Sequence, residues 1–325
     1  VLHILLPGLP ASTWGIIANI AIIPILLIGM FIPKWNVYGV VERLMTIIVV
    51  GMTLLMLYIA FIALPFSDYS YSFGELIKGM AFQMPEGAVL VSLAVLGTVG
   101  AGIELIYYST WLISKGFVKQ AYHQEDDEAQ RHERMKAWIN VLKLDTWISV
   151  TATFLVTLSY FITGAVILKT LNVLPEGVNV VADISKIFTE MLGPGYFVIF
   201  LLGSFAGLYT TSLGIADGTA RMVVDLRKEL TKKPLSEKSA NILYAWSVVI
   251  VVLSWIIFYR FISAPTFLIT IGGAALSLLF PLYGLALLYL NRQVPKAYRM
   301  SWIVKIILLI CFFLFTSLWF VDKFF

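Results

Sequence analysis

Within one apolar stretch, residues 87–113, the run Gly97-Thr98-Val99-Gly100-Ala101-Gly102-Ile103-Glu104 places three glycines and a carboxylate where a membrane helix would carry apolar side chains. Glycine costs roughly 1 kcal/mol against alanine in a helix interior, and an acidic side chain at membrane depth costs roughly 3 kcal/mol. A break in the helix accounts for both. Unwinding frees backbone carbonyls and turns the N-terminus of a half-helix into the protein, the arrangement with which secondary carriers bind ions and solutes near the bilayer midplane. Glu104 then has two readings. In the first turn of the inner half-helix it can satisfy free amides as a cap, or it can face a cavity as a cation ligand or proton acceptor.

Other residues with chemical potential have plainer readings. His123 and His132 beside Glu125-Asp126-Asp127-Glu128 could bind a regulatory cation, but their spacing fits no defined ligand pattern, and a solvated face is the simpler account. Gly203, Gly207, Thr210, Thr211, Ser212, Gly214 and Gly218 line one apolar segment as small residues do where helices approach closely in lipid. Asp217 lies four residues before Arg221, which suggests an interfacial ion pair. Asp145 reads as a cap at the inner end of a span. Gly272-Gly273 and Pro281 suggest a second interrupted helix, either gating or simply kinked. The lone Cys311 excludes an intramolecular disulfide and reads as packing. No histidine cluster, nucleophile and base pair or phosphate loop is visible, which argues against an enzyme and against an ATP-driven pump of the P-loop class.

The elements that must position the glycine-rich run follow from composition. With 60% apolar and 13% charged residues over 325 positions, and a mean hydropathy of +0.90, the chain is a polytopic membrane protein in contact with a lipid bilayer. Eight spans are predicted, near 13–31, 40–63, 87–113, 145–169, 195–218, 242–262, 264–290 and 302–321. Lys and Arg alternate between loops: Lys78, Lys169, Lys186, Arg260 and Lys323 lie on one side and the rest of the chain's 23 on the other, so that richer side is cytoplasmic. Residues 1–325 read as a single transmembrane domain, with a cytoplasmic loop over 114–144 that contains a helix from about 117 to 143. The net charge of +4 reflects the loop bias, and no basic and aromatic module suggests nucleic acid. Both termini face outward on this count. The opening Val1-Leu-His-Ile has no signal-peptide n-region, and the chain reads as preceded by an odd number of further spans.

The order of segments resembles the Nramp family of divalent-metal transporters. Val37-Tyr-Gly-Val-Val-Glu42-Arg43-Leu is similar to that family's fifth helix, and Val95-Leu-Gly97-Thr98 with Leu105 and Ser109 to its sixth. Asp145-Thr-Trp-Ile-Ser-Val-Thr151-Ala-Thr-Phe-Leu-Val-Thr157 looks like its seventh, and Gly207-Leu-Tyr-Thr-Thr-Ser-Leu-Gly214-Ile-Ala-Asp-Gly218 like its eighth. The resemblance covers nearly the whole chain. It implies an all-α, LeuT-type inverted-repeat fold in which helices four to eleven are present, the first-helix metal motif lying upstream of Val1.

Where the family breaks its sixth helix at Met-Pro-His, with an alanine three residues before the methionine, this chain carries Ala101-Gly102-Ile103 and Thr98. The thioether is gone, a pattern similar to the Nramp-related magnesium transporter branch. Sulfur favours softer transition metals, so the resemblance implies an oxygen-lined site: the Thr98 and Ala101 carbonyls, Glu104, and water retained by a reluctantly dehydrated ion such as magnesium. Gly97, Gly100 and Gly102 would form the break. The expected activity is secondary transport of divalent cations of the Mg/Mn class, with the cation as substrate, no cofactor, and a bacterial-type plasma membrane as location. With no histidine in any span, proton coupling is not expected. The alternatives are a LeuT-type carrier of an organic solute such as an amino acid, whose carboxylate Glu104 would repel, and a non-transporting homologue. Oligomeric state is not encoded in these features.

Overall fold

In the computed structural model, residues 1–31, 37–79, 88–99, 103–114, 116–117, 127–175, 177–233, 235–261 and 265–321 are described. Among them every regular element is helical. Eight segments are long and apolar enough to cross a membrane: Ala11–Ile28, Gly39–Phe66, Ala88–Ile113, Glu128–Leu168, Tyr196–Thr231, Glu237–Phe261, Thr266–Leu290 and Trp302–Phe320. These match the spans expected from hydropathy, with several helices running further at their polar ends.

Two compact units divide the chain. The first holds Val1–Glu75 and Ile106–Ser263, the second Leu76–Leu105 and Ala264–Phe325. In the first unit, α1 (Leu2–Leu5), α2 (Ala11–Phe31) and α3 (Val37–Tyr58) precede a π-helical turn at Ile59–Ala63. The short α4 (Phe73–Gly79) follows, its last four residues belonging to the second unit. Later come α6 (Glu104–Ser114), whose first two residues belong to the second unit, then α7 (Glu128–Thr163), α8 (Val180–Leu192), α9 (Tyr196–Thr231) and α10 (Glu237–Phe261). The second unit contains α5 (Ala88–Val99), α11 (Pro265–Ser277), α12 (Leu279–Leu290) and α13 (Trp302–Val321).

The core of the first unit is a seam between α2, α9 and α10. Ile22 and Leu26 meet Leu213, Ala216, Ala220 and Val224, and these meet Tyr244, Val248 and Val252. Spacings of three and four put each set on one helix face. The alanines let the backbones come close, which is how helices associate where lipid is as apolar as the side chains. In α9 the predicted small-residue stripe works mostly by accepting neighbouring side chains: Gly203 leaves room for Met52, and Gly218 for the Tyr107 ring, while Gly214 faces open space. Its hydroxyls turn inward on their own helix, with Thr210, Thr211 and Ser212 donating to the Ala206, Gly207 and Leu208 carbonyls.

Three local expectations are revised. Of the polar helix expected over 117–143, the part from Glu128 onward is not separate from the fourth span. It starts at Glu128 under a capping box, in which the Asp127 carboxylate accepts from the Gln130 amide at 2.7 Å and the Gln130 side chain accepts from the Asp127 amide. From there α7 continues unbroken to Thr163. His123, Glu125 and Asp126 lie outside the described residues. Asp145 consequently sits in the interior of α7 and caps nothing; its carboxylate accepts from the Tyr108 hydroxyl at 2.9 Å. In the seventh span, Gly272 and Gly273 are helical within α11, and the interruption falls at Leu278. Pro281 explains that position: it has no N–H for the Ser277 carbonyl four residues back, and its ring crowds that carbonyl.

Candidate functional site

The third span is built from two helices, α5 ending at Val99 and α6 opening at Glu104. Gly100, Ala101 and Gly102 lie outside the described residues. Thr98 is the second-to-last described residue of α5. Its hydroxyl donates back to the Ala94 carbonyl at 2.9 Å and approaches the Val95 carbonyl at 3.2 Å. Glu104 is the acidic residue in the first turn of α6 and is half-buried. Among the described residues, no hydrogen bond or ion pair engages its carboxylate.

Gly97 lies inside α5, two residues before its end, and is buried. It serves packing there. A methyl on Gly97 would overlap the Gly273 carbonyl of α11, and one on Gly273 would come within 2.5 Å of the Ala94 carbonyl. The outer half-helix thus lies backbone to backbone on α11, with Ser277 buried at the same contact.

The inner half-helix is held differently. Tyr107 and Trp111 lie four residues apart and share a face of α6. Fully buried, Tyr107 rests in the notch left by Gly218, where a Cβ would come within 2.6 Å of its ring, and its hydroxyl bonds Thr219 Oγ1 at 2.6 Å. Trp111 Nε1 donates to the Asp217 carboxylate of α9 at 3.1 Å. Asp217 is only 4% exposed. It also accepts from Arg221 Nε at 2.9 Å to each oxygen and from the Tyr244 hydroxyl of α10 at 2.6 Å. The expected pair with Arg221 is present, and its carboxylate is buried. Sequence reasoning missed Trp111 and Tyr244 as its partners, because only the helix packing brings them within reach. The available signal was a carboxylate set between Ala216 and Gly218 in an otherwise apolar window.

No group of three or more His, Cys, Asp or Glu side chains gathers among the described residues in a way that could hold a metal ion.

No curated protein and no solved structure matches the chain. A family model, Nramp, described as natural resistance-associated macrophage protein-like, matches residues 2–321. That match spans all eight apolar segments and both half-helices of the third. The chain belongs to the Nramp family, multi-pass membrane transporters of divalent metal cations with the LeuT-type fold.

Proposed function

We propose that this protein is a secondary carrier of divalent cations of the Mg/Mn class, binding the ion between the end of α5 and the start of α6. The donors are the Thr98 and Ala101 carbonyls and the Glu104 carboxylate. One observation carries the reading: Glu104 stands at the first residue of α6 with its carboxylate unengaged among the described residues. A carboxylate committed to capping would accept from nearby amides; one left open can take a cation. Ala101 in place of a thioether removes the soft donor and favours harder ions. Magnesium binds through few protein ligands and keeps several waters, so a sparse set of donors suits it.

The test is uptake of magnesium, manganese and calcium into proteoliposomes, with and without a pH gradient, by the wild-type protein and by Glu104→Gln. Saturable magnesium and manganese uptake, lost in Glu104→Gln while the protein remains folded, is the expected result. Unchanged uptake in that variant would reduce Glu104 to a cap. Absence of any divalent flux would bring the organic-solute carrier or the non-transporting homologue forward.

A further inference from the structure

The two halves of the third span are secured by unlike means. α5 is fixed to α11 by close backbone packing in the second unit. From Ile106 onward α6 belongs to the first unit, and its link to α9 is made by long side chains, Tyr107 on Gly218 and Thr219 and Trp111 on Asp217. With 11 residues, α6 has about three turns of surface for packing, so the contacts of its buried face weigh heavily on its orientation. On that face Tyr107 and Thr110 are buried, whereas Leu105, Ile106 and Ile113 are exposed.

Asp217 is unusual among these partners because it joins three helices at one point. Arg221 comes from its own helix, Trp111 from α6 and Tyr244 from α10. The Arg221 guanidinium also lies 5.7 Å from the centre of the Tyr244 ring. A buried carboxylate satisfied by a cation and two neutral donors resists displacement, since pulling one donor away leaves a charge poorly compensated in low dielectric. Helices α9 and α10 are already joined by the apolar seam around Ala216, Ala220 and Val248. The bond that adds something is therefore the one to Trp111.

We propose that Asp217 is a positioning residue for the inner half-helix, setting the placement of α6 through Trp111 and thereby the geometry at Glu104. The effect on cation affinity rests on the proposed role of Glu104; the effect on α6 itself does not. Through Trp111, Asp217 acts at a distance of about two helical turns along α6.

The test compares Trp111→Phe, which cuts the link to α6, with Tyr244→Phe, which cuts the link to α10, by hydrogen exchange on the protein in lipid nanodiscs and magnesium uptake in proteoliposomes. Asp217→Leu, which has no side-chain acceptor for Trp111, is a second route to loss of that bond. Trp111→Phe is expected to speed exchange over 104–114 by about ten- to hundredfold, the range for loss of one hydrogen bond to a charged group. Tyr244→Phe should leave that segment unchanged, and Trp111→Phe should raise the half-saturation concentration for magnesium more than it lowers the maximal rate. Equal loosening of 104–114 in both variants would mean a general stability effect and overturn the proposal, as would unchanged exchange in Trp111→Phe. Loosened exchange with an unchanged half-saturation concentration would overturn the coupling to Glu104. If the wild-type protein carries no magnesium, manganese or calcium, the cation reading fails while the exchange comparison still decides the role of Asp217.

Discussion

Gly97 of α5 and Gly273 of α11 meet so closely that a methyl on the first would occupy the space of the second's carbonyl oxygen. The obstacle is backbone, which cannot swing aside as a side chain can. Gly97→Ala and Gly273→Ala should each destabilise the protein by about 1–3 kcal/mol or more. Gly272→Ala is the control, because its Cβ would meet nothing within 4 Å; there alanine should be neutral or stabilising by up to about 1 kcal/mol. Thermal unfolding in detergent reads the difference. Equal melting temperatures for Gly97→Ala and Gly272→Ala would refute the close approach.

A second glycine tests the seat of α6. Gly218→Ala would push a methyl to within 2.6 Å of the Tyr107 ring atoms nearest the backbone, whereas Gly214 faces open space. The expectation is a lowered melting temperature and loss of the Tyr107 to Thr219 hydrogen bond for Gly218→Ala, with Gly214→Ala neutral. If Gly218→Ala melts like wild type, the ring does not occupy that notch.

The interruption at Leu278 depends on Pro281. In Pro281→Ala the restored amide can donate to the Ser277 carbonyl, and α11 and α12 should merge into one helix. Spin labels on exposed positions of the two helices, Ile269 and Leu285, would report a longer and narrower distance distribution by pulsed electron paramagnetic resonance. An unaltered distribution would show that packing in the second unit imposes the break independently of proline.

Selectivity can be pushed by restoring sulfur. Ala101→Met supplies the thioether whose absence the proposed site turns on, so the ratio of manganese to magnesium uptake should rise. Competition between the two ions in proteoliposomes measures it. No change in the ratio would count against Ala101 as a residue beside the ion.

Tyr69 and Glu190 provide a pH-dependent contact outside the spans. The Tyr69 hydroxyl donates to the Glu190 carboxylate at 3.0 Å, and that bond, with desolvation and the charges of Glu190 and Asp68, raises the phenol above its ordinary value. An acid whose folded pKa is raised stabilises the fold fully below its unfolded pKa, about 10 for tyrosine, and the contribution is lost as pH climbs through the folded value. Titration of carbon-13-labelled tyrosine should show the Tyr69 resonance moving to lower pKa in Glu190→Gln. A pKa that stays put would mean the bond does not persist in solution.

The sequence by itself determined what depends on local chemistry. Twenty-odd consecutive apolar residues can only satisfy their backbone in lipid as helices, so all eight spans are legible from hydropathy. The ion pair of Asp217 with Arg221 follows from their spacing of four. Tertiary structure decided the rest, since a spacing reports one helix and never its neighbour. Gly97 and Gly273 look like helix breakers in the chain, yet each is needed by the other across a packed pair. Asp145 resembles a cap until α7 proves continuous through it. Trp111 and Tyr244 lie 106 and 27 residues from Asp217, and only the docking of α6 and α10 on α9 adds them to the expected ion pair, making a buried joint between three helices.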